Sequence, residues 1–115
     1  MKPFESYILE ADHSIREAVT WQEVEDQLAD TEGRQVAIDE FDGVRISTVF
    51  LCINHGFSER DPPVLFETML FIDDPALGAP SWLDDACTRY CTWDDAVAGH
   101  TLAVATVQIA LAEKR

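Results

Sequence analysis

Basic residues are scarce in this chain: eight Lys and Arg stand against 22 Asp and Glu, a formal net charge of −14 over 115 residues. A phosphate backbone or an anionic membrane repels such a protein, so direct nucleic-acid or membrane binding is disfavoured and neutral or basic protein surfaces are the expected partners. Long hydrophobic runs are also lacking. No stretch reads as approaching the roughly 18 apolar residues of a membrane helix, and Met1-Lys2-Pro3-Phe4-Glu5 lacks the apolar core of a secretion signal. A cytoplasmic location is therefore expected. Cysteine is sparse and odd in number, Cys52, Cys87 and Cys91, which points to reduced thiols rather than a disulfide framework. There is no phosphate-binding loop, no G-x-G-x-x-G and no H-E-x-x-H, so no cofactor is expected.

Hydrophobic residues make up 47% of the chain, enough for one core without metal or disulfide support, and a single domain over residues 1–115 is expected. Ser6-Tyr7-Ile8-Leu9-Glu10 fits a short edge strand, followed by a polar stretch through Arg16 and Glu17. Thr20-Trp21-Gln22-Glu23 fits a capping box, and Trp21, Val24 and Leu28 follow at helical spacing, so a helix is predicted over about 21–30 with Gly33 ending it. Strands are predicted over 35–41 and 44–53 around Asp42-Gly43, a pair that tolerates the positive φ of a two-residue hairpin and sets Glu40 opposite Arg45. The unbroken run Val49-Phe50-Leu51-Cys52-Ile53 places the second strand centrally, with both faces covered. A third strand over 64–72 pairs with it. Residues 73–86 have loop composition, 89–91 fit a last short strand, and Thr92-Trp93-Asp94-Asp95 opens a long helix to about residue 114. The fold class is α+β: an antiparallel sheet of about three to five strands with a short N-terminal and a long C-terminal helix packed on it.

Three side chains invite a chemical reading. Glu67 is a lone carboxylate alternating with Leu65, Met69 and Phe71, while His100 lies within the helical stripe Trp93, Val97, His100, Val104, Val107 and Leu111. If that stripe covers the strand face carrying Glu67, the two meet in a low-dielectric setting, either as an acid/base pair joined by His55 or as a buried hydrogen bond that fixes the helix on the sheet. Cys52-x2-His55 with Cys87-x3-Cys91 offers possible zinc ligands, but residues three apart on a strand diverge, and small core cysteines are the preferred reading. His13 reads as a solvated side chain. The paired aspartates form an acidic rim, and Trp82 and Phe57 are loop aromatics, each a lid on the core or an anchor for a partner.

The segments Val44-Arg45-Ile46-Ser47-Thr48-Val49-Phe50-Leu51, His55 with Phe57, Pro62-Pro63-Val64-Leu65-Phe66-Glu67-Thr68-Met69-Leu70-Phe71, Arg89-Tyr90, Thr92-Trp93 and Ala98-Gly99-His100 resemble a family of small uncharacterised proteins seen in bacteriophages and prophages. The resemblance runs from about residue 7 to about residue 104. Family members typically read Gly-Leu-Asp-His where this chain reads Cys52-Ile53-Asn54-His55. The resemblance implies a setting rather than a mechanism: small acidic phage proteins often inhibit host or defence machinery, DNA mimics and anti-CRISPR proteins among them.

Charge and setting together give the leading expectation, a non-enzymatic protein that binds a basic surface on a host or defence protein through Asp73, Asp74, Trp82, Asp84 and Asp85. A ligand-binding or catalytic domain using His55, Glu67 and His100 is the second expectation, and a virion or packaging accessory the third.

Overall fold

The computed structural model describes residues 5–56, 61–77 and 87–113. Among the described residues the elements follow in the order β1 (Tyr7–Leu9), β2 (Ile15–Glu17), α1 (Trp21–Ala29), β3 (Gln35–Phe41), β4 (Val44–Phe50), β5 (Phe66–Ile72), β6 (Thr88–Tyr90) and α2 (Trp93–Glu113), with a 3-10 turn at Pro75–Leu77. Strands β3 to β6 form an antiparallel sheet in sequence order, and β1 and β2 form a separate ribbon. The α+β expectation holds.

Local chemistry accounts for most of these boundaries. Thr20 accepts a hydrogen bond from the Glu23 N–H while the Glu23 carboxylate accepts from the Thr20 N–H, closing the anticipated capping box. Helix α1 stops earlier than Gly33: the Asp30 N–H turns back to the Asp26 and Gln27 carbonyls, and the Asp30 carboxylate takes the Gly33 N–H. Asp42 and Gly43 have φ of 50° and 80°, the two positive values a tight hairpin needs, and Glu40 stands opposite Arg45.

The ribbon β1–β2 went unread because its second strand is polar. Its turn is built by Asp12, whose carboxylate accepts from the Ser14 N–H and hydroxyl, and by His13 at φ 70°. Strand β4 lies centrally, but it ends at Phe50 rather than residue 53. Cys52 adopts φ 70°, which L residues rarely occupy, and turns the chain so that its carbonyl accepts from the Tyr7 N–H. The run that looked like one doubly covered strand therefore belongs to two partners, and the outward side chains of β4, Arg45, Ser47 and Val49, are only half-buried.

Helix α2 lies across one face of the four-stranded sheet and buries Ala96, His100, Ala103, Val107 and Leu111. Val97, assigned to this stripe from sequence, is instead exposed. Three small residues explain the close approach. Ala96 and Ala103 face the sheet, and Gly99 sits against Tyr90, where an added Cβ would lie 2.2 Å from the ring. The core divides in two. One cluster joins Ile8, Leu9, Val24, Phe50, Leu65, Phe66 and Ala96 beneath the ribbon, and the other joins Val44, Ile46, Leu70, Ala103, Val107 and Leu111.

By length and composition α2 passes the test for a membrane span, with a mean hydropathy of 1.3 over its best window. This corrects the expectation that no segment does.

Two outcomes test this account. Gly99→Ala is expected to lose about 1–2 kcal/mol in urea denaturation, because overpacking against Tyr90 outweighs the helix propensity gained, whereas the same change in a Tyr90→Ala background is stabilising. Glu23 supplies the second. Its carboxyl is held at about 2, below its ordinary 4.5, first by the Arg16 guanidinium and then by the Val19 and Thr20 N–H groups. A depressed carboxyl contributes stability above its unfolded value and loses it as pH falls through the folded one. Carbon NMR should place the Glu23 midpoint near 2, and Arg16→Gln should raise it.

Candidate functional site

The face of the sheet under α2 is selected by strand alternation. Ile46, Thr48 and Phe50 of β4 and Phe66, Thr68 and Leu70 of β5 point to the helix, with Thr48 directly opposite Thr68. His100 meets them from above. Its Nδ1 lies 2.7 Å from the Thr48 hydroxyl, which lies 2.5 Å from the Thr68 hydroxyl, and the Tyr90 hydroxyl completes the row at 3.1 Å. The imidazole Nε2 lies 2.7 Å from Asp39 Oδ2 on the edge strand β3.

An ionised carboxylate only accepts, so Nε2–H donates to Asp39, and in the neutral imidazole Nδ1 accepts from Thr48. Thr68 then donates to Thr48 and Tyr90 to Thr68. Each member of the row is satisfied in one continuous direction. Ile46 and Leu70 belong to one apolar cluster, Phe50 and Phe66 to the other, so the row crosses the interface as a polar rung between them.

The order carboxylate, imidazole, hydroxyl is that of a hydrolytic triad. Its exposure is the reverse. Thr48 is 0% exposed, His100 is buried, and only Asp39, with half its side chain accessible, reaches solvent. A nucleophile must touch its substrate, and this hydroxyl is sealed beneath a helix. The arrangement is fitted to hold α2 in place.

Glu67 takes no part. It projects from the opposite face of β5, where its Oε2 accepts from Arg89 Nε at 2.7 Å. The helix covers the Thr68 face, and successive residues of a strand point to opposite sides, so Glu67 and His100 are separated by the sheet. His55 is exposed in the segment after β4, its N–H donating to the Val64 carbonyl. No hydrogen bond or ion pair among the described residues joins His55, Glu67 and His100. The residues that do meet His100 are Asp39, Thr48, Thr68 and Tyr90, none of which sequence reasoning singled out. The signal available was two threonines interrupting apolar alternation, Ile46-x-Thr48-x-Phe50 and Phe66-x-Thr68-x-Leu70.

Cys52 is buried with its thiol donating to the Tyr7 carbonyl at 3.2 Å, and burial pushes its pKa up. Its surroundings are those of a small core residue. No group of three or more His, Cys, Asp or Glu side chains that could hold a metal ion is found among the described residues. His13 is accessible but not free: its ring stacks on Trp93 with centroids 3.7 Å apart and planes inclined by 11°.

Of the acidic residues expected to meet a partner, Asp73 and Asp74 are exposed and docked on the β3–β4 turn, where both backbone N–H groups approach the Gly43 carbonyl, at 2.8 Å and 3.3 Å. That contact brings a third aspartate, Asp42, to the same end of the sheet. Trp82, Asp84, Asp85 and Phe57 lie outside the described residues. On the outer face of the sheet, Ile38, Met69 and Phe71 are exposed, but the Arg45 guanidinium lies over the Phe71 ring at 4.5 Å and the Glu67–Arg89 pair stands beside Met69.

No family model, curated protein or solved structure matches the chain.

The two carboxylate arrangements predict different costs. Thr48→Val keeps the shape but strands a buried imidazole nitrogen and the Thr68 hydroxyl, and should lower stability by about 1–3 kcal/mol. Glu67→Gln breaks only an accessible pair and should cost about 0–1 kcal/mol. Thermal and urea unfolding of the two variants, measured side by side, check this.

Proposed function

We propose that the chain is a non-enzymatic binding protein whose partner presents a basic surface, in the manner of the small acidic phage proteins that occupy host or defence factors. The observation that carries this reading is the corner formed by Asp42, Asp73 and Asp74, held together by backbone contacts to Gly43. It lies in a chain of net charge −14. Aspartates carried on one end of the sheet by backbone hydrogen bonds hold their place before a partner arrives, which lowers the ordering cost of binding. The sealed position of the Thr48 hydroxyl supports a binding role over a catalytic one. Resemblance to phage proteins supports action inside a bacterial host.

Capture of the tagged protein from nuclease-treated host lysate tests this. A stoichiometric partner should elute as salt rises, since exposed charges are screened over about 10 Å at 0.1 M. The triple change Asp42→Asn, Asp73→Asn and Asp74→Asn preserves the positive φ at residue 42 and should weaken binding by roughly tenfold, about 0.5 kcal/mol for each rim charge. Affinity that stays flat under both changes sinks the proposal.

A further inference from the structure

Strand β3 lies at one edge of the four-stranded sheet. In antiparallel pairing, alternate residues of a central strand bond to one neighbour and the residues between them to the other. Three contacts at its ends fix the phase of β4. The Gly43 carbonyl accepts from the Asp73 N–H at 2.8 Å, the Leu51 N–H donates to the Leu65 carbonyl at 2.6 Å, and the Phe50 N–H donates to the Arg34 carbonyl at 2.8 Å. Odd-numbered residues of β4 therefore bond toward β5 and even-numbered ones toward β3. With Phe41 opposite Val44, Asp39 opposite Ile46 and Ala37 opposite Thr48, these three residues of β3 turn their N–H and C=O groups to β4. Ile38 and Glu40 turn theirs outward, and among the described residues no backbone hydrogen bond beyond β4 reaches either of them. A register shift between Gln35 and Ala37 ends the regular edge on the N-terminal side. The opposite edge strand, β6, has three residues against seven in β3.

We infer that this edge receives an extended basic segment of a partner protein, added as a further strand beside β3. The inference rests on the binding role proposed above and names the form in which the basic surface arrives. Unpaired N–H and C=O groups on alternate residues are the pattern that another strand satisfies and a helix does not. Side chains decide which strand. Asp39, bonded to His100 on the helix face, keeps half its side chain accessible, and Glu40 on the outer face is exposed. Arg45 stands opposite Glu40, but its guanidinium lies over the Phe71 ring. Ile38 shares the outer face with Glu40 and is 45% exposed. A strand laid beside β3 sets one of its own side chains next to each of these three, so it fits with basic residues at Asp39 and Glu40 and an apolar one at Ile38. The same acids disfavour a second copy. An antiparallel pair of β3 strands that used both outward residues would set Asp39 against Asp39, in a protein of net charge −14. Beyond Phe41 the chain enters Asp42, so a guest strand that continues past the edge meets the acidic corner as well.

Amide hydrogen exchange of the full chain, followed by NMR with and without a capped peptide of about eight alternating Thr and Lys residues, tests the edge. At saturation the peptide should slow exchange at Ile38 and Glu40 by at least roughly tenfold, and should change Ala37, Asp39 and Phe41, already bonded to β4, far less. N-methylation of the two central peptide residues keeps the charge, blocks both edges of the peptide and should weaken binding by at least roughly tenfold. Glu40→Pro removes one outward donor without touching the β4 ladder and should weaken binding by about fivefold. The methylated peptide needs no change to the protein, so a misfolded proline variant leaves the test intact. Equal binding of the two peptides, or slowing confined to Asp42, Asp73 and Asp74, overturns the inference while leaving the basic-partner reading in place, since charge alone then accounts for binding. Exchange at Ile38 and Glu40 that is slow without peptide, or that slows as protein concentration rises, also overturns it, because the chain itself or a second copy then covers the edge. Failure of both peptides to bind overturns it too, and capture from lysate decides the basic-partner reading separately.

Discussion

The rest of the fold depends on one buried side chain, His100, because α2 is apolar on both sides. The stripe against the sheet offers Ala, His, Ala, Val and Leu, and the stripe facing away offers Ala, Leu, Ala, Ile and Ala. Apolar area alone would not select the observed face, since the opposite stripe carries at least as much hydrocarbon. What makes one orientation distinct is that Thr48 and Thr68 carry hydroxyls at the centre of the sheet, and only the observed face brings a group that can bond to them. A helix rotated by half a turn takes the imidazole away from the Thr48 hydroxyl and leaves that buried group one hydrogen bond short, at about 1–3 kcal/mol. A polar rung thus supplies the specificity that a bland helix lacks, in keeping with the role of buried polar residues in fixing register.

The same rung explains features that otherwise look unrelated. Tyr90 must reach Thr68 from the edge strand β6, so its ring lies beneath α2, and residue 99 has to be glycine for the helix to pass over it. Asp39 is on the opposite edge strand, and its half-exposed carboxylate draws β3 to the helix. Both edges of the sheet are tied to one imidazole at its centre. The two apolar clusters flanking the rung contribute most of the burial, while the rung decides how they are aligned.

Those relations were only partly legible in the sequence. His100 inside an apolar helical stripe could be read directly, and so could the hairpin at Asp42-Gly43 and both Thr-Trp helix starts, because each depends on neighbours within a few residues. Glu67 misled for a reason that is physical. Alternation along β5 assigns Glu67 and Thr68 to opposite faces with equal ease, and apolar residues flank both, so nothing local says which face the helix covers. Weighing the cost of burial would have chosen correctly: a threonine hydroxyl enters a core far more cheaply than a carboxylate. Asp39 could not be found this way, since its contact with His100 spans 61 residues and depends on edge-strand position. The ribbon partner β2 and the early end of β4 were hidden for a related reason, each being set by a residue at positive φ, His13 and Cys52, of types that rarely adopt it.

With the polar centre occupied in holding the fold, chemistry has to be sought on the surface, and the surface is divided by charge. Acidic groups collect at the hairpin end of the sheet around Asp42, Asp73 and Asp74, and the exposed side of α2 carries no charge from Ala96 to Ala112. A neutral strip costs an acidic protein solubility unless something covers it, whereas acidic corners keep solubility whether or not a partner is bound. The two surfaces therefore impose different demands. The strip calls for an uncharged, apolar cover, and the corner requires opposite charge.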